Sequence, residues 1–207
     1  MFITLEGSEG SGKTSQLPAL ARLLKKSGYN VLTTREPGGT LIGDQIRVIL
    51  SDQGNTAMSA RAESLLFMAA RAQLVAEVVQ PHLQTGGIVI SDRYAESTLA
   101  YQGYGRQLDL QQLRVLLDFA TYELKPDLIL LLDIDVEEGL RRRMQGGDLN
   151  RLDILEVEFY QRVRRGYLEM AAADSQRWVI VDAQRSPDQV QADIGRIVLE
   201  RLKKQRG

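Results

Sequence analysis

Short apolar runs alternate along the chain with longer segments in which apolar residues recur every three or four positions. The short runs are typical of strands buried on both faces of a parallel sheet, and the longer segments are typical of helices that cover such a sheet. Strands are expected at residues 2–5, 30–34, 88–91, 128–133 and 178–181. Helices are expected at residues 13–27, 41–50, 60–84, 109–124, 136–144, 152–173 and 187–204. The pattern predicts a three-layer α/β fold in which helices flank a five-stranded parallel sheet.

Composition adds a limit on size and on the redox environment. The 207 residues are 43% hydrophobic and include no cysteine. One globular domain over residues 1–207 accounts for this length, with no linker or repeat that would divide it. The lack of cysteine excludes disulfides, thiol nucleophiles and cysteine-ligated zinc, and it is compatible with a reducing cytoplasm.

Charge and hydropathy exclude two classes of partner. Lys and Arg number 26 against 27 Asp and Glu, so the chain lacks the global basic field of non-specific nucleic-acid binders. Residues 128–132 form the longest apolar run, which is too short to span a membrane, and Glu6 interrupts the N-terminal apolar run too early for a signal peptide. We therefore expect a cytoplasmic protein with no nucleic-acid or membrane partner.

Residues 7–14 match G-x-x-x-x-G-K-[ST] and lie between an apolar strand and a helical segment. Glycines allow the backbone N–H groups of such a loop to turn toward phosphates, and the helix N-terminus adds its dipole. Lys13 is expected to bridge the β- and γ-phosphates, and Thr14 to offer its hydroxyl to magnesium. The expected nucleotide contacts are Gly7, Ser8, Glu9, Gly10, Ser11, Gly12, Lys13, Thr14 and Ser15.

Two further motifs follow strands, at the sheet edge where ligands of open α/β sheets bind. Residues 34–40 join the Arg35-Glu36 pair to a Pro-Gly-Gly turn, and residues 91–94 place Asp92 beside Arg93. Asp92 is expected to orient magnesium through water, and Arg93 to clamp a phosphate with two hydrogen bonds. The alternatives are a plain type II turn for the first motif and a surface salt bridge for the second.

A basic cluster, residues 140–151, surrounds Gly146 and Gly147 between two predicted helices. A charge run of this kind is usually a solvated helix face. Phosphoryl transfer, however, needs mobile guanidinium groups that close over the transferring oxygens, and the glycines supply flexibility. We therefore predict a short lid at about residues 141–153.

With these motifs in view, the chain resembles the bacterial thymidylate kinases, P-loop nucleoside monophosphate kinases that phosphorylate dTMP with ATP and Mg²⁺. The resemblance covers nearly the whole chain and implies a homodimer. The pairing of Asp-Arg-Tyr with Ala-Tyr-Gln-Gly is not expected in adenylate, guanylate or shikimate kinases. The motifs that carry the resemblance are residues 7–14, 35–40, 67–71, 92–94 with Thr98, 100–103 and 150–153.

The resemblance implies how the base of dTMP is held. Phe67 would stack on thymine, Arg71 would hydrogen-bond the base, and Thr98 and Gln102 would read its remaining edge. Phe67 and Arg71 are four residues apart on one predicted helix, so they share a face. The alternatives are a core position for Phe67 and, for Arg71, a surface ion pair with Glu63 or Glu77.

The resemblance also implies contacts to the rest of the substrate. Arg47 and Arg93 would hold the monophosphate, with Glu36 and Pro37 close to the phosphates and the metal. Tyr101 would lie against the deoxyribose, although an ordinary half-buried tyrosine is the alternative. No general base is required, because the attacking phosphate oxygen is already ionised at neutral pH.

The resemblance also implies that the lid supplies an arginine, because relatives whose phosphate-binding loop lacks one commonly do so, and this loop has none. By resemblance, Arg142 would pack on the adenine. Arg151 lies beyond the glycines and is predicted to reach the transferring phosphate, with Arg143 as the second candidate. The expected catalytic set is Lys13, Arg93, Arg151, Arg143 and Asp92.

Three other functions are compatible with a phosphate-binding loop. A deoxynucleoside kinase would need a carboxylate base near a sugar hydroxyl. A GTP-dependent switch would carry an Asn-Lys-x-Asp sequence, which does not occur here. A structural protein with a vestigial loop is disfavoured because Lys13 and Thr14 are intact.

Overall fold

The computed structural model of the chain describes residues 1–146, 151–152 and 155–206, without the side chains of the last two. Its strands form one parallel sheet in the order β2-β3-β1-β4-β5. The sheet confirms the predicted α/β class and the predicted strands to within one residue at each end. The strands are β1 (Phe2–Glu6), β2 (Val31–Arg35), β3 (Ile88–Asp92), β4 (Leu128–Asp133) and β5 (Trp178–Asp182).

Helices connect the strands and cover both faces of the sheet. Two segments have π-helical pairing, Val75–Val79 and Leu99–Gly105. None of the helices in the described ranges has the length and apolarity that a membrane crossing requires. The α-helices are α1 (Lys13–Lys26), α2 (Leu41–Ser51), α3 (Ala60–Leu74), α4 (Gln80–Gln84), α5 (Ala95–Thr98), α6 (Leu110–Thr121), α7 (Val136–Met144), α8 (Val157–Ala173) and α9 (Pro187–Arg206).

Alternation along the buried strands divides the core between the two faces. On one face, Ile3 and Leu5 of β1 pack with Leu24 of α1 and Ile194 of α9. On the other face, the strands pack against α3 and the helices around α8. The central strand β4 is covered on both faces and is apolar except for its last residue, Asp133, whereas the edge strand β2 ends in two threonines and an arginine.

The order of the strands reverses at β1, since β3 lies on one side of it and β4 on the other. In open parallel sheets the crevice at such a reversal, beyond the carboxyl ends of the strands, is the usual ligand site. β1 leads directly into the loop at residues 7–12, and β3 ends at Asp92. The topology therefore brings the phosphate-loop and Asp-Arg motifs to one edge.

Three helix predictions were wrong in detail. The helix expected at 152–173 begins only at Val157, and residues 151–152 form a turn that is held where the Arg151 N–H donates to the Ser51 carbonyl at 3.3 Å. The helix expected at 60–84 contains the π-helical segment Val75–Val79, which ends two residues before Pro81, a residue with no N–H to donate. Residues 95–105 were not expected to be helical, because buried polar groups and glycines obscure their apolar period.

Candidate active site

A cleft of about 1000 Å³ lies at the carboxyl edge of the sheet. It runs between the phosphate-binding loop, the ends of β2 and β3, the middle of α3 and the π-helical segment Leu99–Gly105. Of the residues predicted from the sequence, its lining includes Glu9, Gly10, Ser11, Gly12, Lys13, Thr14, Ser15, Glu36, Pro37, Arg47, Phe67, Arg71, Asp92, Arg93, Thr98, Tyr101, Gln102, Arg142 and Arg143. The structure therefore brings most of the predicted site together.

The phosphate-binding loop needs glycine for two reasons. Gly10 has a φ of +70°, and a Cβ there would lie 1.9 Å from the Gly139 carbonyl oxygen of α7. Gly12 has a φ of +89° and caps α1 without using a side chain. The first N–H groups of α1 have no partner within the helix, and they lie at the cleft.

Lys13 is buried and folds back over its own loop. Its Nζ donates to the carbonyls of Gly7 and Ser8, each at 2.9 Å, and to the Ser11 hydroxyl at 3.1 Å. Burial, together with the nearby Arg93 guanidinium, lowers the pKa of Lys13 to about 8. The ammonium is thus held where phosphates would displace its bonds to the loop.

Thr14 and Asp92 meet at the mouth of the loop. The Thr14 hydroxyl donates to Asp92 Oδ2 at 2.7 Å, although the two residues are 78 positions apart. Mg²⁺ prefers such hard oxygen ligands and commonly keeps waters and phosphate oxygens in its remaining positions. The pair therefore fits the predicted magnesium contact.

Arg93 lies beneath the phosphate-binding loop in a left-handed conformation, with a φ of +72°. Its guanidinium donates to Glu9 Oε1 at 2.7 Å, to the Tyr101 hydroxyl at 3.0 Å and to the Gly7 carbonyl at 3.2 Å. Burial tends to raise the pKa of Glu9, but Arg93 and Lys13 outweigh it, so this pKa lies below its ordinary value. The Arg93 charge is therefore fixed toward the cleft.

Arg71 is fully buried and joins three segments of the chain beside the cleft. Its Nε donates to Glu36 Oε2 at 2.7 Å, and its two terminal nitrogens donate to Thr98 Oγ1 at 3.0 Å and to the Tyr94 carbonyl at 2.9 Å. The alternative of a surface ion pair with Glu63 or Glu77 is therefore wrong.

Glu36 has one oxygen in this network and one outside it. Its Oε1 is buried without a hydrogen-bond partner in the described structure. Burial raises the pKa of Glu36 to about 7, although Arg71 acts in the opposite direction. Glu36 lines the cleft. This position is the one that its expected contact near the phosphates requires.

Three other predicted substrate contacts have distinct environments. Phe67 is half-buried and lines the cleft, which disagrees with a core position. Tyr101 is only 4% exposed, and its hydroxyl donates to Glu9 at 2.9 Å, so it is not an ordinary half-buried tyrosine. Arg47 donates to the Pro37 carbonyl at 2.9 Å, which holds α2 against the Pro-Gly-Gly turn.

The lid arginines separate into two groups. Arg142 donates to the Ala183 carbonyl at 2.9 Å, and Arg143 lines the cleft and contributes to the lowered pKa of Glu9. Arg151 is instead buried and donates to Glu63 Oε2 at 2.6 Å and to the Leu50 carbonyl at 3.2 Å, and it does not line the cleft. The structure thus disagrees with ranking Arg151 before Arg143. Residues 147–150 and 153 of the predicted lid lie outside the described residues.

Glu6 was not among the site residues expected from the sequence. Glu6 is fully buried and accepts hydrogen bonds from the Tyr94 N–H at 2.7 Å, the Ser97 hydroxyl at 2.6 Å and the Tyr167 hydroxyl at 2.9 Å. Burial, and then the nearby Glu96 carboxylate, raise the pKa of Glu6 to about 7. Its position at the end of an apolar strand was the available signal, because carboxylates are rarely buried there without partners.

Glu63 was also missed as a component of the site. It is fully buried on α3 and joins Gln102, Arg106 and Arg151 through hydrogen bonds. Glu63 and Arg151 are each far in sequence from Gln102 and Arg106, so no local signal could have found the cluster.

Comparison with known proteins identifies the family. The family model described as thymidylate kinase matches residues 5–194. The chain is 49% identical over 210 residues to the thymidylate kinase of a Roseiflexus species, covering 96% of this chain and 93% of that protein. It is 45% identical to the thymidylate kinase of Maridesulfovibrio salexigens, covering 98% and 97% of the two chains.

A solved structure agrees with the sequence relatives. The crystal structure of thymidylate kinase from Ehrlichia chaffeensis has a TM-score of 0.80 and 31% sequence identity to this chain, with 96% of this chain and 98% of that chain covered. The resemblance inferred from the motifs is confirmed. The chain belongs to the thymidylate kinase family.

Proposed function

We propose that the chain transfers the γ-phosphate of ATP to dTMP, giving dTDP and ADP for dTTP synthesis. The observation that carries this proposal is a single cleft that joins the phosphate-binding loop to a second cation, Arg93, and to a pocket lined by Phe67 and Arg71. A phosphate-binding loop alone needs no second cationic site on the acceptor side. Because ATP is made and used inside cells, the reaction supports the cytoplasmic location expected from the sequence.

The chemistry rests on position and charge. Lys13 would leave the carbonyls of its loop and contact the β- and γ-phosphates, and Arg93 with Arg47 would hold the phosphate of dTMP in line with them. Thr14, and Asp92 through water, would hold Mg²⁺, which supplies positive charge toward the phosphates when bound. The attacking oxygen is ionised already, so these residues need only orient the two phosphates and stabilise the transferring charge.

Within the lid, at about residues 141–153, we propose Arg143 as the contact to the transferring phosphate. Arg143 lines the cleft and its charge acts on Glu9, whereas Arg151 is buried against Glu63. Arg142 would support the adenine from its position beside Ala183. Arg151 would then hold the far end of the lid in place.

A coupled ADP-release assay over a panel of acceptors tests the reaction. We expect turnover with dTMP to exceed that with dAMP, dGMP, AMP and thymidine. Phosphorylation of thymidine but not of dTMP would instead indicate a deoxynucleoside kinase. ATP hydrolysis or GTP binding with no acceptor dependence would indicate a nucleotide switch.

We also propose a homodimer through an apolar face of α2, α3 and α6. These helices contact one another in the order α2-α3-α6 and expose large apolar side chains that a lone chain would leave in water. A symmetric dimer would cover this self-complementary face. Its exposed members are Leu41, Ile42, Val48, Ile49, Leu65, Val115, Leu116 and Phe119.

Sedimentation equilibrium tests the dimer. Phe119 is 86% exposed, and Phe119→Glu would place a charge in the proposed interface, so we expect it to give monomers. Ile180→Glu is the matched control, because Ile180 is 52% exposed but lies on β5, away from the proposed face. A monomeric parent protein, or equal dissociation of both variants, would contradict the proposal.

A further inference from the structure

Gln102 lies between the cleft and a buried carboxylate. Gln102 lines the cleft, whereas Glu63 lies behind it and does not. The Gln102 side-chain nitrogen donates to Glu63 Oε1 at 3.0 Å. Both side chains are almost inaccessible, at 1% for Gln102 and 0% for Glu63. The contact is therefore part of the wall that a bound base would meet.

Two arginines hold the carboxylate in place. Arg106 and Arg151 donate to Glu63 Oε2 at 3.1 Å and 2.6 Å, and the Arg106 Nε donates to Oε1 at 3.3 Å. Arg106 also packs over the Phe159 ring, with its guanidinium carbon 5.2 Å from the centroid. With ion pairs from two sides, the carboxylate cannot rotate away from Gln102 without losing a charge-assisted bond.

The charge state of Glu63 decides which end of the Gln102 amide faces it. Burial tends to raise the pKa of Glu63, but hydrogen bonds from Arg106, Gln102 and Arg151 outweigh it, so the pKa is lowered. An ionised carboxylate only accepts hydrogen bonds. The Gln102 amide must therefore turn its NH₂ toward Glu63, which leaves its carbonyl oxygen as the group available to the cleft.

We infer that Glu63 is a specificity-determining positioning residue, which orients Gln102 so that the cleft accepts a base with an N3–H donor. This inference rests on the proposed function and deepens it. Thymine and uracil carry N3–H and would donate to the Gln102 carbonyl. Cytosine has a lone pair at N3, so two acceptors would face each other in a buried site.

The predicted discrimination follows from desolvation. A ligand that leaves a buried polar group of the pocket without a hydrogen-bond partner is rejected strongly, because that group has lost its water and gained no new bond. Without Glu63 as a fixed acceptor, the Gln102 amide can rotate by 180° and offer its NH₂ to the N3 lone pair of cytosine. The arginine-held carboxylate thus acts on base selection without touching the base.

The test compares dTMP, dUMP and dCMP as acceptors for the parent protein and for Glu63→Gln. The new amide can donate to Gln102, so either orientation of Gln102 is satisfied. We expect the ratio of kcat/KM for dTMP over dCMP to fall at least about 10-fold, the scale of one buried hydrogen-bond mismatch. The ratio of dTMP over dUMP should stay unchanged, because both bases carry N3–H.

Arg106→Met is the matched control. It removes one charge from the cluster but leaves the bond between Glu63 and Gln102, so it should keep the preference for dTMP over dCMP even if the melting temperature falls. Equal dTMP-to-dCMP ratios in the parent and in a folded Glu63→Gln would overturn the inference. A fall in both ratios together would also overturn it, because it would indicate general distortion of the pocket.

A measurement on the parent protein keeps the inference testable if Glu63→Gln does not fold. The side-chain NH₂ of Gln102, observed by ¹⁵N NMR, should exchange slowly with water both with and without dTMP, because its partner is Glu63 and not the base. Rapid exchange in the free protein that slows only with dTMP would refute this orientation. This readout is separate from the proposed function, which fails if the parent protein phosphorylates none of the three acceptors.

Discussion

ATP binding should draw a proton onto Lys13. In the free protein, burial and the Arg93 guanidinium lower the pKa of Lys13 to about 8, although the Glu9 and Asp92 carboxylates act in the opposite direction. Its ammonium donates hydrogen bonds to two carbonyls and one hydroxyl. Bound polyphosphate would place several negative charges beside it. Because nearby opposite charge favours the charged form, the pKa of Lys13 must rise on binding.

The size of the effect depends on pH. At pH 8, a group with a pKa of about 8 is protonated in about half of the molecules. If bound ATP raises that pKa by about two units, the group is protonated in nearly all of them at the same pH. Binding one ATP should therefore take up about 0.5 proton at pH 8. At pH 6.5 the free lysine is already protonated, so its contribution to proton uptake should be close to zero.

Isothermal titration of ATP into the protein, without an acceptor, measures this uptake from the dependence of the observed heat on the ionisation enthalpy of the buffer. Lys13→Arg is the control, because a guanidinium keeps its charge throughout this pH range and takes up no proton. Equal uptake at pH 8 by the parent and by Lys13→Arg, or no uptake by the parent, would refute the reasoning about this buried lysine.

Three further predictions concern the other cleft residues. Lys13→Ala should keep its circular dichroism spectrum but lose at least about 100-fold in turnover by ADP release, the scale for removing one charge stabiliser, and near-normal turnover would contradict the mechanism. Tyr101→Ala should narrow the preference for dTMP over ribothymidine monophosphate, since the ring restricts room for a 2′-hydroxyl, and unchanged kcat/KM ratios would remove Tyr101 from the sugar pocket. Arg143→Ala should lower kcat more than it raises the KM for dTMP. Arg151→Ala should instead lower the free energy of unfolding by about 3 kcal/mol, because it leaves buried Glu63 short of one ion pair. A pure kcat defect in Arg151→Ala would restore the original ranking of the two arginines.

The fold could be predicted because its signals are local. Each strand begins with an apolar run, and the phosphate-binding loop follows the first run directly. The contact between Thr14 and Asp92 was also foreseeable. Asp92 ends β3, and Thr14 follows the loop after β1, so parallel strands bring both residues to the same edge of the sheet. Such inferences need only the topology of the sheet.

The rest depended on contacts that no short segment records. Arg151 was expected at the phosphates because it follows two glycines, but it pairs with Glu63, 88 positions earlier. Glu6 could be noticed as a carboxylate on an apolar strand, but its partners Ser97 and Tyr167 come from other elements. Packing decides between two reasonable destinations for a long charged side chain, and the sequence alone contains no measure of that packing.

The π-helical segment Leu99–Gly105 has a consequence for how this pocket can be altered by insertion or deletion. In a π-helix the backbone bonds skip one residue more than in an α-helix, so a single deletion can return the segment to ordinary pairing. Each residue of an α-helix turns the chain by about 100°. Losing one residue before Tyr101 would therefore turn Tyr101 and Gln102 away from the cleft while leaving every side chain of the pocket in the sequence. Transplanting the proposed base pocket into another kinase thus requires the same residue count between Thr98 and Arg106, in addition to the same residue types.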